Sequence, residues 1–204
     1  MAPRGFTDDE EKRIRYDLMQ AGREKFGTMG LRKTSIKDLT EIAGIAQGSF
    51  YKFYESKELL YFRLLEQDEA SINQTIYYMG ALEKMDAEGF SKLLQKALRM
   101  IEERPLLRRV MVSDEYQALV RKLPADVVER HEEKDILSFN QLFHLWKDQG
   151  VLDGNLDSTI ISGAIRALLL ASTHKREIGY DVFDASIDFL IQSLAYRIFK
   201  GSKG

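Results

Sequence analysis

A chain of 204 residues, 44% hydrophobic and 30% charged, is long enough to bury a core and has the composition of an ordinary globular protein. Its zero cysteines exclude disulfides and thiolate metal sites, and no uninterrupted apolar run approaches the ~20 residues that cross a bilayer. The start, Met1-Ala2-Pro3-Arg4-Gly5-Phe6-Thr7-Asp8, lacks the apolar core of a signal peptide, so a cytoplasmic protein is expected.

The net charge of −2 hides an uneven distribution. Between positions 23 and 57 the bases Arg23, Lys25, Arg32, Lys33, Lys37, Lys52 and Lys57 outnumber the acids Glu24, Asp38, Glu41 and Glu55. A polyanion responds to such a local patch and not to the global charge.

Proline occurs only at Pro3, Pro105 and Pro124, and apolar residues recur at intervals of three and four, which predicts an all-α protein. Thr7-Asp8-Asp9-Glu10 has a capping-box pattern with acid in the first turn, so a first helix starts at Thr7. Ile14, Leu18, Ala21 and Phe26 follow one face, and Gly27 is the expected stop. Thr34 or Ser35 caps a second helix whose buried stripe is Ile36, Leu39, Ile42 and Ala43. Gly44 supplies the positive φ of a tight turn into a third helix. Ser56 caps a fourth helix running from Lys57 into the eighties.

Further helices are predicted over residues 87–103 and 105–122, with Pro105 at a first-turn position, and over 124–149. Gly150-Val151-Leu152-Asp153-Gly154-Asn155 is a turn, followed by helices over 158–175 and from Asp181 or Asp184 to Lys200. No low-complexity linker separates a head, residues 1–57, from a body, residues 58–204.

Two short helices joined at Gly44 form a helix-turn-helix, whose second helix can lie in the DNA major groove. Phe50 and Tyr54, four apart, define its inward side. Gln47, Gly48, Ser49, Tyr51 and Lys52, with Phe53 at the edge, define the outward side. Gln47 offers bidentate contacts to adenine, Lys52 reaches guanine or phosphate, Tyr51 has a hydroxyl for phosphate, and Phe53 suits a thymine methyl. Gly48 disfavours a helix by about 1 kcal/mol against alanine. Close approach of DNA explains it, although a short helix held by packing also tolerates it.

Over roughly residues 7–65 the sequence resembles the DNA-binding head of TetR-type regulators. The pattern stands as Ala43-Gly44-Ile45-Ala46, Gln47-Gly48-Ser49-Phe50-Tyr51 and Lys57-Glu58-Leu59-Leu60. The resemblance implies a cap or phosphate contact at Thr34 and Ser35. It also implies base or phosphate contacts at Gln47, Gly48, Ser49, Tyr51, Lys52 and Phe53, and a phosphate clamp at Lys57. Three positions depart from the pattern: Ala46 where Ser or Thr caps the reading helix, Phe53 for His or Tyr, and Tyr54 for Phe.

In the body, the last helix repeats Phe183, Ile187, Leu190, Ile191, Leu194 and Ile198 at helical spacing. The helix before it carries Ile161, Ile165, Leu168 and Leu169 beside small residues that permit close approach. The resemblance implies that these two helices form a homodimer interface, through Ile161, Ile165, Leu168, Ile187, Leu190, Leu194 and Ile198. A monomeric bundle interior gives a similar pattern. The resemblance also implies a small-molecule effector pocket, for which Phe90, Met100, Met111, Tyr116, Phe139, Phe143, His144 and Trp146 are candidate lining; such a stripe also serves as plain core.

His131, His144 and His174 have no metal-ligand spacing and no phosphate-binding glycine loop occurs, so no metal, cofactor or enzyme activity is expected. The expectation is an all-α homodimer: a three-helix helix-turn-helix head on a helical bundle that dimerises through its last two helices. It would act as a ligand-released transcriptional repressor on a palindromic operator in double-stranded DNA. The alternative is a helical small-molecule-binding protein whose head is only structural.

Overall fold

A computed structural model describes residues 6–82, 85–112, 114–152 and 156–199, and the side chains of 132–140 lie outside that description. Its helices are α1 (Asp8–Met29), α2 (Ile36–Ile42), a 3₁₀ helix (Gln47–Lys52), α3 (Lys57–Leu82), α4 (Ala87–Glu102), α5 (Pro105–Val112), α6 (Glu115–Val120), α7 (Ala125–Asp148), α8 (Ser158–Ala171), α9 (Lys175–Ile178) and α10 (Phe183–Ile198). The described residues contain no strand, and none of their helices is long and apolar enough to cross a membrane. The chain forms two compact units, Met1–Asp68 with Pro105–Leu123, and Glu69–Arg104 with Pro124–Gly204.

In the first unit α1 starts where the sequence predicts. The Thr7 hydroxyl accepts from the Glu10 N–H, and the Glu10 carboxylate accepts from the Thr7 N–H at 2.8 Å. The helix ends at Gly30 (φ 80°) and not at Gly27. Arg109 of α5 supplies the reason: its Nε donates to the Gly27 carbonyl at 3.0 Å and its Nη2 to the Thr28 carbonyl at 2.7 Å. A guanidinium at the negative end of the helix satisfies carbonyls that would otherwise need water.

Against α1, the buried Phe26 ring meets Tyr61 edge-on at 4.9 Å. At Gly22 an added Cβ would lie 2.8 Å from a terminal methyl of Leu64, so α1 and α3 pack closely there and a larger residue would have to push that side chain aside. Burial pushes the Tyr61 phenol well above its ordinary pKa, and the nearby Glu115 carboxylate adds to that, so Tyr61 stays a donor to Glu115 at 3.1 Å. The helix predicted over 105–122 is split in two, and Glu115, in the first turn of the second piece, meets both Tyr61 and Arg109.

In the second unit, Trp146 is fully buried, donates Nε1–H to the Gly80 carbonyl at 2.9 Å, and meets Phe90, Phe143 and Phe199 at 5.4–5.8 Å between centroids. α7 closes at Gly150 (φ 67°), where the Val151 N–H returns to the Trp146 carbonyl at 3.1 Å. The turn residues Asp153, Gly154 and Asn155 lie outside the described residues. The helix predicted over 158–175 stops at Ala171, because the Ser172 and Thr173 hydroxyls donate to the carbonyls of Leu169 and Leu170 and so replace the next N–H groups.

The residues expected at the interface and the pocket differ in burial. Ile161, Ile165, Leu168, Ile187 and Ile198, read as faces for a partner, are buried inside their own chain, while Leu194 is half-buried and Leu190 exposed. Those side chains fill the packing of α8 on α10 and of α10 on α4. Among the pocket candidates, Phe90, Met100, Phe143 and Trp146 belong to the packed core of the second unit. Half-buried Met111 and Tyr116 belong to the first unit, and His144 is exposed. The Phe139 side chain lies outside the described residues.

Two capping boxes hold charged carboxylates at helix starts. Hydrogen bonds from the Thr7 backbone and hydroxyl lower the Glu10 pKa, and those from the Ser35 hydroxyl and backbone lower that of Asp38. A lowered folded pKa gives stability that is complete above the unfolded value and is lost as pH falls through the folded one. Thermal melts should therefore show the wild type losing stability below about pH 4 more steeply than a Ser35→Ala variant, which has only the Thr7 box.

Candidate nucleic-acid interface

The helix-turn-helix is built by local hydrogen bonds. Ser35 caps α2: its hydroxyl accepts from the Asp38 N–H, and the Asp38 carboxylate accepts from the Ser35 N–H at 2.7 Å. At the other end the Ile45 N–H reaches the Thr40 carbonyl at 3.1 Å and the Gly44 N–H reaches that of Glu41 at 3.4 Å. This pair of bonds closes the helix around a left-handed residue, and Gly44 has φ 66°. The turn that aims the next segment thus depends on one glycine.

That segment is a six-residue 3₁₀ helix, Gln47–Lys52, where the sequence predicts a helix of unspecified kind. Ala46 gives it no side-chain cap, and too few residues follow to make good α-helical bonds. Phe50, fully buried, pins it, with Tyr51 edge-on at 5.7 Å and Tyr54 tilted at 5.9 Å. Tyr54 sits inward as expected, and burial raises its pKa.

Gln47, Gly48, Tyr51 and Lys52 are exposed on one side of the segment, with Ser49 half-buried. A groove of about 320 Å³ is lined by Ser35, Gln47, Tyr51, Ser56 and Lys57, with Glu55 and Glu58 also on its wall. Glu58 is neutralised there by Lys122, whose Nζ donates to it at 2.8 Å. A Cβ added to Gly48 would meet nothing within 4 Å, and its φ is not positive. Nothing inside the chain requires a glycine at 48.

Three expected contacts are placed differently. Phe53 is 8% exposed and is packed between Phe6 and Arg15, so it does not face outward. Thr34 is 1% exposed, and its hydroxyl donates to the Gly30 carbonyl at 2.8 Å, leaving Ser35 as the accessible hydroxyl. Lys57 donates Nζ to the carbonyls of Leu31 at 2.8 Å and Thr34 at 2.6 Å, which staples the turn before α2. For Phe53 and Lys57 neighbours far along the chain claim the side chain, and helical spacing carries no sign of them; Thr34 turns back to a carbonyl four residues before it. Sequence reading also misses Phe6 and Arg15, which contact the segment from 47 and 38 positions before Phe53.

Residues 18–64, which contain α2, the turn and the 3₁₀ helix, match the family model described as bacterial regulatory proteins, tetR family. The helix-turn-helix head thus matches the tetR family of bacterial regulatory proteins. A TetR-family transcriptional regulator from Pectobacterium atrosepticum is similar over 93% of this chain and 94% of its own, at 25% identity and a TM-score of 0.65. Another from Mesorhizobium loti is similar over 95% of this chain and 100% of its own, at 16% identity and a TM-score of 0.70. The repressor SmeT of the Stenotrophomonas maltophilia multidrug efflux pump SmeDEF has the same fold, with 15% identity, 95% and 94% coverage and a TM-score of 0.65. No curated protein sequence matches the chain.

The chain is thus a DNA-binding transcriptional regulator with an N-terminal helix-turn-helix of the tetR type in an all-helical fold. Gly48 gives this assignment a sharp check. Gly48→Ala should leave the melting temperature unchanged or raise stability by up to about 1 kcal/mol, since alanine favours helix and meets no neighbour. The same variant should weaken DNA binding, measured by fluorescence anisotropy on duplex DNA.

Proposed function

We propose that the chain is a ligand-released repressor that binds a palindromic operator as a homodimer. The observation that carries the reading is the exposed row Gln47, Gly48, Tyr51 and Lys52 on a segment fixed by Phe50 and Gly44. Gln47 offers an amide to a base edge, Lys52 a cation to guanine or phosphate, and Tyr51 and Ser35 hydroxyls to phosphate. Gly48 lets DNA approach the backbone. Ser49 lies at the margin of the row. Lys57 acts by holding the turn that presents α2. The protein works in the cytoplasm, where its operator is, and needs no catalytic group.

Dimerisation is proposed through α8 and α10, but on a different face from the buried one. Ile160 (72% exposed) and Leu170 share one side of α8 with Gly163 and Ala167. Ala185, Phe189 (70% exposed) and Tyr196 share one side of α10. Two packed helices that each keep an apolar row in water suit a self-complementary interface. Two-fold symmetry then places two reading segments on two half-sites.

SmeT is a repressor of a multidrug efflux pump. By that likeness a small apolar effector is proposed to bind the second unit, which carries Phe90, Met100 and Phe143, and to favour a head spacing unfit for the operator.

Selection from random duplex DNA should recover an inverted repeat that the Tyr51→Ala/Lys52→Ala variant no longer enriches. Failure of a folded wild-type dimer to enrich any sequence, before and after stripping and refolding, would favour a head with a structural role only. Separately, Phe189→Lys should convert the dimer to monomer by sedimentation with its helix content kept; an unchanged sedimentation coefficient would move the interface elsewhere.

A further inference from the structure

Four side chains form an alternating stack at the C-terminal end of the reading segment. The Lys52 Nζ lies 5.2 Å from the centroid of the Phe6 ring. Phe6 in turn lies 5.8 Å from Phe53, tilted by 39°. On Phe53 the Arg15 guanidinium carbon sits 5.3 Å from the ring centroid. Arg15 also donates Nη1–H to the Phe53 carbonyl at 3.1 Å. The order is cation, ring, ring, cation, drawn from α1, the residue before its cap, and the reading segment.

The segment needs such a clamp. It has six residues, no side-chain cap at Ala46, and an unsupported glycine at 48. Its one fully buried side chain is Phe50, near the middle. A single anchor fixes the depth of a short helix but leaves it free to roll about its axis. The carbonyl of Phe53 ends the segment, where no helical N–H follows to bond it. A guanidinium that bonds this carbonyl and covers the Phe53 ring gives a second anchor at a different azimuth.

Rolling the segment would move Gln47, Tyr51 and Lys52 together, because they extend from it. Lys52 is doubly affected, since Phe6 holds its ammonium by the ring face.

We propose that Arg15 is a positioning residue for operator reading. Acting through Phe53, with Phe6 as its companion, it sets the roll of the reading segment and the place of the Lys52 ammonium, without touching DNA itself. The inference rests on the reading that Gln47–Lys52 contacts bases, and it makes specificity depend on a residue of α1. Arg15 is exposed, so replacing it leaves the core of the first unit intact.

The test compares full-length wild type, Arg15→Met and Arg15→Lys. Affinity is measured on the selected operator and on a scrambled duplex of equal length at several salt concentrations, and amide hydrogen exchange is followed without DNA. Arg15→Met should lower the ratio of operator to scrambled affinity about tenfold. Its salt slope on the operator should match wild type, and amides 49–54 should exchange faster while those of α1 and α3 do not change. Arg15→Lys, which keeps a cation over the ring and a donor to the carbonyl, should recover most of the ratio.

An unchanged ratio with unchanged exchange would overturn the proposal. A salt slope smaller by about one would also do so, by making Arg15 a direct phosphate contact. Should wild type itself show no operator preference, the DNA reading fails separately. Faster exchange confined to 49–54 would then still support the clamp, and unchanged exchange would remove it.

Discussion

The first unit depends on holding a segment that cannot hold itself. A six-residue 3₁₀ helix with no side-chain cap has little stability of its own, yet it carries the exposed row proposed to meet DNA. Burial of Phe50 is therefore the central interaction. Gly44 aims the segment, Phe50 sets its depth, and the contacts around Phe53 fix its far end. The side chains left over on the opposite side, Gln47, Tyr51 and Lys52, are exposed because the inward ones are fully used.

The same unit ties its other pieces together with charged hydrogen bonds. Arg109 satisfies carbonyls at the end of α1, pairs with Glu115, and so shares that carboxylate with the buried Tyr61 hydroxyl of α3. Lys57 does similar work at the turn before α2. Arg23 pairs with the buried Asp68 at 2.6 Å. Each joins elements by satisfying a group that burial or a helix end leaves needing a partner, which costs more to lose than it contributes when formed.

The second unit follows a different rule. Among the described residues its interior is almost wholly apolar, organised on Trp146 with Phe90, Phe143 and Phe199, and the Trp146 N–H has the Gly80 carbonyl to bond. α8 and α10 are apolar on two sides, one filled by this core and one left in water. Of the dimer residues expected from the sequence, most sit on the filled side. Spacing at three and four identifies a helix with an apolar stripe; it gives no means of telling which of two stripes the chain itself covers.

The helix class, nearly all helix starts, the Gly44 turn and the outward row Gln47, Gly48, Tyr51 and Lys52 are legible in the chain alone. These follow from caps, glycines and periodicity, which act within a few residues of one another. Packing, by contrast, carries α1 on to Met29, because its last carbonyls meet Arg109 from another helix. Packing likewise turns Phe53 and Lys57 to partners inside the unit, and leaves Ile160 and Phe189, not Ile161 and Ile187, in water. Those outcomes depend on which distant group reaches a side chain first, and local spacing does not encode that.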